Sequence, residues 1–397
     1  MRVPTAMYYQ QSASLITRLQ GDLQQTQLQI ASGRRILNPS DDPVASAQLS
    51  SIESALKQND QFQRNSNLAT SRLSVEEATL TDVQNALFRV RDLVIQANND
   101  TQTSESRRFI AVEAEQILGQ LVELGNRRDG QNNFLFGGFQ SRTEPFSVDN
   151  NEVRYNGDQG ERRLQIGPSR FVRDGDSGAA IFMNIPNGNG QFVTTAATAN
   201  TGSGVIDAGS LNGQSTWDGS TYEIRFTADN AYDVLDGGGA LVSSGSFEPG
   251  DAIDVPGAIV NIDGAPAAGD SFSLGPSTTT DIFETVQNFV NSLRTAVPGG
   301  TGSAQLHNRL NNVLSDLDQG VGNVLDVRAT IGSRLQAIAS QEDSNADFDI
   351  TLQTTRSQLQ DVDYADAISR MNLQLTSLEA AQQTFARIQG LSLFDVI

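Results

Sequence analysis

Apolar residues recur every seven positions along the C-terminal third of the chain. Leu310, Leu317, Val324, Ile331, Ile338, Leu352 and Leu359 share one row, interrupted only by Asn345. A second row three residues further on holds Val313, Val327, Phe348 and Val362, broken by Gly320, Arg334, Gln341 and Thr355. The N-terminal third repeats the device with Leu73, Leu80, Leu87 and Val94, beside Val83, Val90 and Ala97. Sustained spacing of seven keeps a narrow stripe facing a partner helix, so these tracts predict coiled-coil-like helices. Asp42 and Pro43 suit the cap and first position of a helix, and Asn98-Asn99-Asp100 ends it. That helix, 43–97, spans roughly 80 Å at 1.5 Å per residue. The stretch 306–362 is of similar length, and two matched stripes at opposite ends of a chain pair most simply as antiparallel neighbours. A third helix from about Ser104 to Gly125, with Ile110, Ile117, Leu121 and Leu124, closes the bundle. Ordinary bundle packing is enough to explain these stripes.

The two extreme ends keep helical apolar spacing but lack charge. From Val3 to Gly33 only Arg18 and Asp22 are charged, and from Met371 to Phe394 only Glu379 and Arg387. A helix displayed to water usually carries a charged outer face. A polar but uncharged face can instead be buried against copies of itself without stranding ions. The expected packing residues are Ile16, Leu19, Leu23 and Ile30 at one end, and Met371, Leu375, Leu378, Phe385, Leu391, Leu393 and Phe394 at the other. Holding such segments still takes about 1–2 kcal/mol per residue of backbone entropy. They are therefore expected to be mobile in the free monomer and to order on assembly. The competing reading makes them a fourth layer of the same bundle.

Glycine and proline set the remaining organisation. Of 35 glycines 21 lie between 141 and 280, with 7 of the 11 prolines, whereas 44–144 and 299–397 contain no proline. A block so punctuated cannot continue a long helix. Phe146–Gly157 followed by Arg163–Ile166 reads as hairpin strands around Asn and Gly turns, and 221–227, 258–262 and 270–274 as further strands. The expected fold is mainly α with an inserted β domain. Terminal helical segments occupy 1–42 and 364–397; a helical rod with a β-hairpin near 146–167 occupies 43–167 and 281–363; a β-rich outer domain occupies 168–280.

Charge and composition narrow the chemistry. The net charge of -20 divides as -2 up to residue 140, -11 over 141–280 and -7 thereafter. Such a chain repels a phosphate backbone, so nucleic acid is a poor partner, and the acidic middle block should face water. With no cysteine and a single histidine, His307, thiolate catalysis, disulfides and a multi-imidazole zinc site are excluded. The single lysine, Lys57, sits in Leu-Lys-Gln rather than in a glycine-rich phosphate loop. Gly175-Asp-Ser-Gly178 looks like the phrase around a nucleophilic serine, but its sole candidate base, His307, follows far downstream. His307 is expected on an exposed face near the start of the last long helix. Asp233 and Asp236 before three glycines resemble a calcium loop only loosely and read as a solvated turn. Glu76-Glu77 and Asp41-Asp42 read as helix-surface and capping carboxylates. No cofactor, metal or catalytic residue is expected.

Ile30-Ala-Ser-Gly-Arg-Arg-Ile-Leu-Asn-Pro-Ser-Asp-Asp-Pro43 resembles the signature of the flagellin superfamily, in which a Ser-Gly turn and paired aspartates join a terminal helix to the rod. Asn133-Phe-Leu-Phe-Gly-Gly138, the ending Leu391-Ser-Leu-Phe-Asp-Val-Ile397 and Gly264-Ala-Pro-Ala-Ala-Gly-Asp-Ser-Phe272 resemble its hook-associated members. The resemblance covers about 1–167 and 281–397. It implies a secreted, non-enzymatic subunit of the bacterial flagellum at the hook-filament junction, its terminal helices forming the inner tube. The implied partners are copies of itself in a ring, a hook-associated subunit resembling FlgK, flagellin, and an export chaperone resembling FlgN at the C-terminal segment. Export would run through the flagellar type III channel. Residues 1–30 lack the continuous apolar core of a secretory signal, and nothing approaches a membrane-spanning run. A divergent flagellin, and a hydrolase carried on a flagellin-like rod, stand as alternatives.

Overall fold

A computed structural model describes residues 5–150, 152–213, 217–297 and 299–394. Its helices are α1 (Thr5–Ser32), α2 (Pro43–Ala97), α3 (Ser104–Gly125), α4 (Ile282–Arg294), α5 (Gly300–Gln360) and α6 (Tyr364–Phe394). The described chain divides into two compact units, residues 1–64 with 341–397 and residues 65–340, and α2 and α5 contribute to both.

The larger unit has a helical core built on the seven-residue rows. Leu73, Leu80, Leu87 and Val94 are buried on α2, and Leu310, Leu317, Val324, Ile331 and Ile338 on α5. The side chain of Thr103 accepts a hydrogen bond from the Ser106 amide and starts α3 where the sequence places it. Helix α4 is an addition to the sequence reading. Its buried Ile282, Phe283, Val286, Phe289, Val290 and Leu293 give a strongly one-sided helix, capped by Asp281 accepting from the Glu284 amide at 2.6 Å. Only 13 residues long, it offers two turns of the seven-spacing, too few to stand out beside α5.

Among the described residues, fifteen strands lie between α3 and α4. Strands β1 (Phe146–Asp149) and β2 (Glu152–Tyr155) form the expected hairpin, with Asn150 at φ 51° in its turn. Strand β3 (Arg163–Gln165) does not join that hairpin; it pairs with β4 (Phe171–Arg173) around Gly167-Pro-Ser-Arg170. The 168–190 segment, read as part of the outer domain, packs into the helical core. Val172, Ile181, Phe182 and Ile185 are buried there, and Phe182 stacks on Phe283 at 5.7 Å. Strand β5 (Ile185–Pro186) pairs with β15 (Thr279–Thr280), closing the neck of the insertion.

The outer domain has a core of its own, from Phe192 to Leu274. One antiparallel sheet contains, in order, β11 (Leu241–Ser246), β10 (Ala231–Asp236), β9 (Tyr222–Ala228), β14 (Ser271–Pro276) and β6 (Phe192–Ala196). A second contains β12 (Ala252–Val255), β13 (Ala258–Asp263) and β7 (Val205–Ile206), with β8 (Ser210–Leu211) also paired to β13. Alternation on β9 and β14 turns Tyr222, Ile224, Phe226, Phe272 and Leu274 inward. Polar side chains of α5 hold the domain: Asn308 Oδ1 accepts from the Ile206 amide at 2.9 Å, and Gln305 donates to the Thr198 carbonyl at 2.9 Å.

In the smaller unit α1 packs on α6, and the two connecting turns are fastened to each other. Arg34 and Asp361 form an isolated β-bridge; the Arg35 amide donates to the Gln360 carbonyl at 2.7 Å and the Val362 amide to the Gly33 carbonyl at 3.0 Å. Gly33 sits at φ 69°, where a side chain is strained. Asp42 caps α2 by accepting from the Ala45 amide, and Asp41 accepts from the Leu37 and Asn38 amides. A small cluster of Ile36, Ala45, Leu49 and Leu359 lies beneath. Along the remaining row Leu352 and Leu359 are half-buried and Phe348 is exposed, while Asn345 is buried and its carbonyl accepts from Asn59 Nδ2 at 2.8 Å.

Candidate assembly surface

The charge-poor segments become a two-helix pair. Ile16, Leu19, Leu23 and Ile30 are half-buried on α1, as are Met371, Leu378 and Phe385 on α6, and Phe385 meets Tyr9 edge-on at 6.1 Å. The side chains of Leu391, Leu393 and Phe394 lie outside the described residues. Two uncharged polar groups of α1 are buried and satisfied locally: Gln29 donates to the Arg35 carbonyl in the following turn at 2.7 Å, and the Thr26 hydroxyl donates to the Asp22 carbonyl within the helix. A further set of apolar residues faces outward: Met7, Tyr8, Leu15 and Leu28 on α1, and Tyr364, Ile368, Leu373 and Leu375 on α6. Apolar side chains this large, on helices whose described charges are Arg18 and Asp22 on α1 and Asp366, Arg370, Glu379 and Arg387 on α6, are suited to contact with other subunits.

The larger unit holds a buried charge cluster that the sequence reading did not place. Glu76, expected on a helix surface, is 1% exposed, and Arg72 one turn earlier is 4% exposed. Arg72 pairs with Asp129 at 2.5 Å, donates to the carbonyls of Phe134 and Leu135, and lies 3.9 Å from Asp174, which also pairs with Arg162 at 2.8 Å. Asp176 receives both guanidinium ends of Arg334, at 2.8 and 2.9 Å, and its amide donates to Glu76. Loops 127–137 and 174–177 are thereby tied to α2 and α5. The signal was present in the periodicity: stepping back seven from Val83 lands on Glu76, and Arg72 opens a row continued by buried Thr79, Ala86 and Leu93.

Burial, reinforced by neighbouring Asp176, raises the Glu76 carboxyl to about 8 from 4.5. The folded state therefore holds a proton between pH 4.5 and 8 that the unfolded chain has released. Glu76 contributes its full stability below pH 4.5 and loses it as pH rises through 8. Asp281 and Asp316 are also raised by burial, to about 6, with the same sign. Between pH 6.5 and 8 the unfolding free energy should fall, and Glu76→Gln should flatten that fall and exceed the parent by roughly 1–3 kcal/mol at the alkaline end. Denaturant titrations at fixed pH check this; an undiminished slope in the variant would refute it.

The other candidate groups have structural partners. Ser177 is buried with its hydroxyl near the Ala180 amide. His307 is not on an exposed face: Asn98 lies 2.6 Å from one ring nitrogen and Asp100 2.8 Å from the other, so it clamps the α2–α3 turn. Asp236 closes its own turn on the Gly238 and Ala240 amides. Among the described residues no group of three His, Cys, Asp or Glu is placed to hold a metal ion, and no helix is long and apolar enough to cross a membrane.

The profile of the bacterial flagellin N-terminal helical region matches residues 3–141, and that of the C-terminal helical region matches 314–396. Flagellar hook-associated protein 3 of Salmonella typhimurium is 27% identical over 396 residues, covering 100% of this chain and 99% of that protein. The crystal structure of FlgL from Xanthomonas campestris is 34% identical with a TM-score of 0.73, covering 77% of this chain and 99% of that one. A hook-associated protein-3 structure from Legionella pneumophila is 30% identical with a TM-score of 0.75, covering 78% and 98%. These relatives are structural flagellar proteins and not enzymes, and the end-to-end match to hook-associated protein 3 disfavours both the flagellin and the hydrolase readings. By that identity and coverage, the chain belongs to the flagellar hook-associated protein 3 (FlgL) family, structural subunits of the bacterial flagellum.

Proposed function

We propose that copies of this chain form a ring at the hook-filament junction, between a hook-associated subunit resembling FlgK and flagellin, assembling through their terminal helices. The observation that carries this reading is the α1–α6 pair, whose outward Met7, Tyr8, Leu15, Leu28, Ile368 and Leu373 are exposed on helices with few charges, those nearest being Arg18 and Asp22 on α1 and the Asp366–Arg370 pair on α6. Neighbouring pairs bury these side chains without desolvating ions, and the gain is about 25 cal/mol per Å² of apolar surface removed from water. Assembly follows export of the chain through the flagellar type III channel, to which a chaperone resembling FlgN, holding the C-terminal segment, escorts it. No chemistry is asked of the subunit; its work is to present one contact surface to the hook side and another to the filament.

Complementation tests this. In a strain lacking the chain, flagellin should escape into the medium, and restoring the chain should return most of it to the cell surface. Flagellin still lost to the medium although the restored chain is exported normally would overturn the junction reading.

A further inference from the structure

The β3–β4 hairpin carries an arrangement that opposes its own folding. Arg163 and Arg173 stand directly opposite each other across the ladder, and like charges in that position destabilise a strand pair. A single carboxylate, Glu161, serves both, at 2.6 Å from Arg173 and 3.7 Å from Arg163. Exposed Arg170 in the turn adds a third guanidinium, and Phe171 beside it is 59% exposed. Residues 162–173 hold four arginines and no acid, in a chain of net charge -20.

The outer domain is the complement of this patch. From 226 to 280 there are eight acidic residues and no lysine or arginine. Glu248, Asp251, Asp254 and Asp263 are exposed, and among the described residues no ion pair reaches them. The hairpin thus keeps an excess of positive charge, its four arginines meeting only Glu161 and Asp174 among the described residues, and the acidic face keeps its full negative charge, Asp254 holding the neutral amide of Asn212.

We propose that the β3–β4 hairpin of one copy docks on the acidic outer domain of an adjacent copy, around Glu248, Asp251 and Asp254. A head-to-tail contact in a ring uses two different patches of the same chain, as these are. Arginine and phenylalanine are enriched in interface cores, and charge complementarity fixes register and excludes wrong partners. Elsewhere, two copies this acidic repel each other, so the hairpin supplies the sign reversal that lets the outer parts approach. The inference rests on the ring reading for its geometry, and its test separates the two.

Because the chain has no cysteine, introduced thiols are its only ones. Cells whose sole copy carries Ser169→Cys and Ala252→Cys should yield flagella in which a short bis-maleimide links that chain into multimers, while either single-cysteine chain stays monomeric. Recovery of the chain in those flagella tests the ring reading independently. Adding Arg163→Glu and Arg170→Glu should lower the cross-linked fraction about tenfold, and adding Asp251→Arg and Asp254→Arg to that variant should restore it. For purified full chains, an equimolar mixture of the two single-cysteine proteins should favour the mixed dimer, and ~1 M salt, where screening acts over roughly 3 Å, should remove the preference. Double-cysteine chain present in flagella but never linked, or linkage indifferent to charge reversal and salt, would overturn the proposal. Retained linkage between the hairpin and a different flagellar subunit would overturn it too, by assigning the patch to another partner.

Discussion

Replacing Arg72 by methionine should lower the unfolding free energy of the larger unit by about 3–5 kcal/mol, the expected loss when one member of a buried ion pair is removed and its partners stay behind. The stranded groups are the carboxylates of Asp129 and Asp174 and the carbonyls of Phe134 and Leu135. Asp174 keeps Arg162, but its own side chain is 4% exposed and water cannot replace the lost guanidinium. Methionine fills the volume, so the effect isolates charge from packing. Lysine should recover little, because one ammonium cannot reproduce a planar fork reaching a carboxylate and two carbonyls. In a double-mutant cycle, Asp129→Asn in the Arg72→Met background should cost much less than in the parent, since the carboxylate it removes is already unpaired. Urea unfolding followed by far-UV circular dichroism and by the single tryptophan, Trp217, reads the result. A loss under about 1 kcal/mol would show that the cluster is solvated and that its buried geometry carries little energy.

The same cluster shows where sequence reasoning stops. Apolar rows in steps of seven were legible because each position repeats one physical demand, burial against a facing helix, and the long helices appear where Leu73 to Val94 and Leu310 to Ile338 placed them. Glu76 lies on such a row but was read by residue type as solvent-facing. Residue type argues for exposure against the periodicity, and the hydrogen bond Glu76 accepts inside comes from the amide of Asp176, in a loop a hundred residues away that Arg334 holds in turn. Long-range pairing of that kind leaves no local trace. The exchange of β3 from one hairpin to another has a similar origin. Both pairings satisfy alternation over three residues, and the choice is made by Val172 seated in the helical core. His307 carries no local mark of its burial, because the Asn98 and Asp100 side chains that enclose it come from the α2–α3 turn some two hundred residues away. The low charge of the ends was readable, but that it serves an internal α1–α6 contact as well as an outward surface required the pair itself.

Removing residues 1–33 or 371–397 should leave a soluble, folded chain that no longer enters the flagellum, so that flagellin is released as though the chain were absent. Neither of the two large hydrophobic cores draws on either end: one runs from Ala69 to Ile338 in sequence and the other from Phe192 to Leu274. What each truncation uncovers is the half-buried row of the surviving helix, Ile16, Leu19, Leu23 and Ile30 or Met371, Leu378 and Phe385. A helix of 28 or 31 residues with mixed polar composition gains little from propensity alone and depends on its neighbour's apolar face. Either deletion should therefore cost the far-UV signal of both terminal helices while the outer domain, reported by Trp217 against Phe192 and Tyr222, is unchanged. Loss of that tryptophan signal would mean the ends belong to the folding core, and normal incorporation of a truncated chain would remove the terminal helices from the assembly mechanism. Substituting outward residues alone, as in Leu28→Gln with Leu373→Gln, separates the two roles. These side chains are 53% and 70% exposed, so folding should change by no more than ~0.5 kcal/mol while retention of flagellin falls.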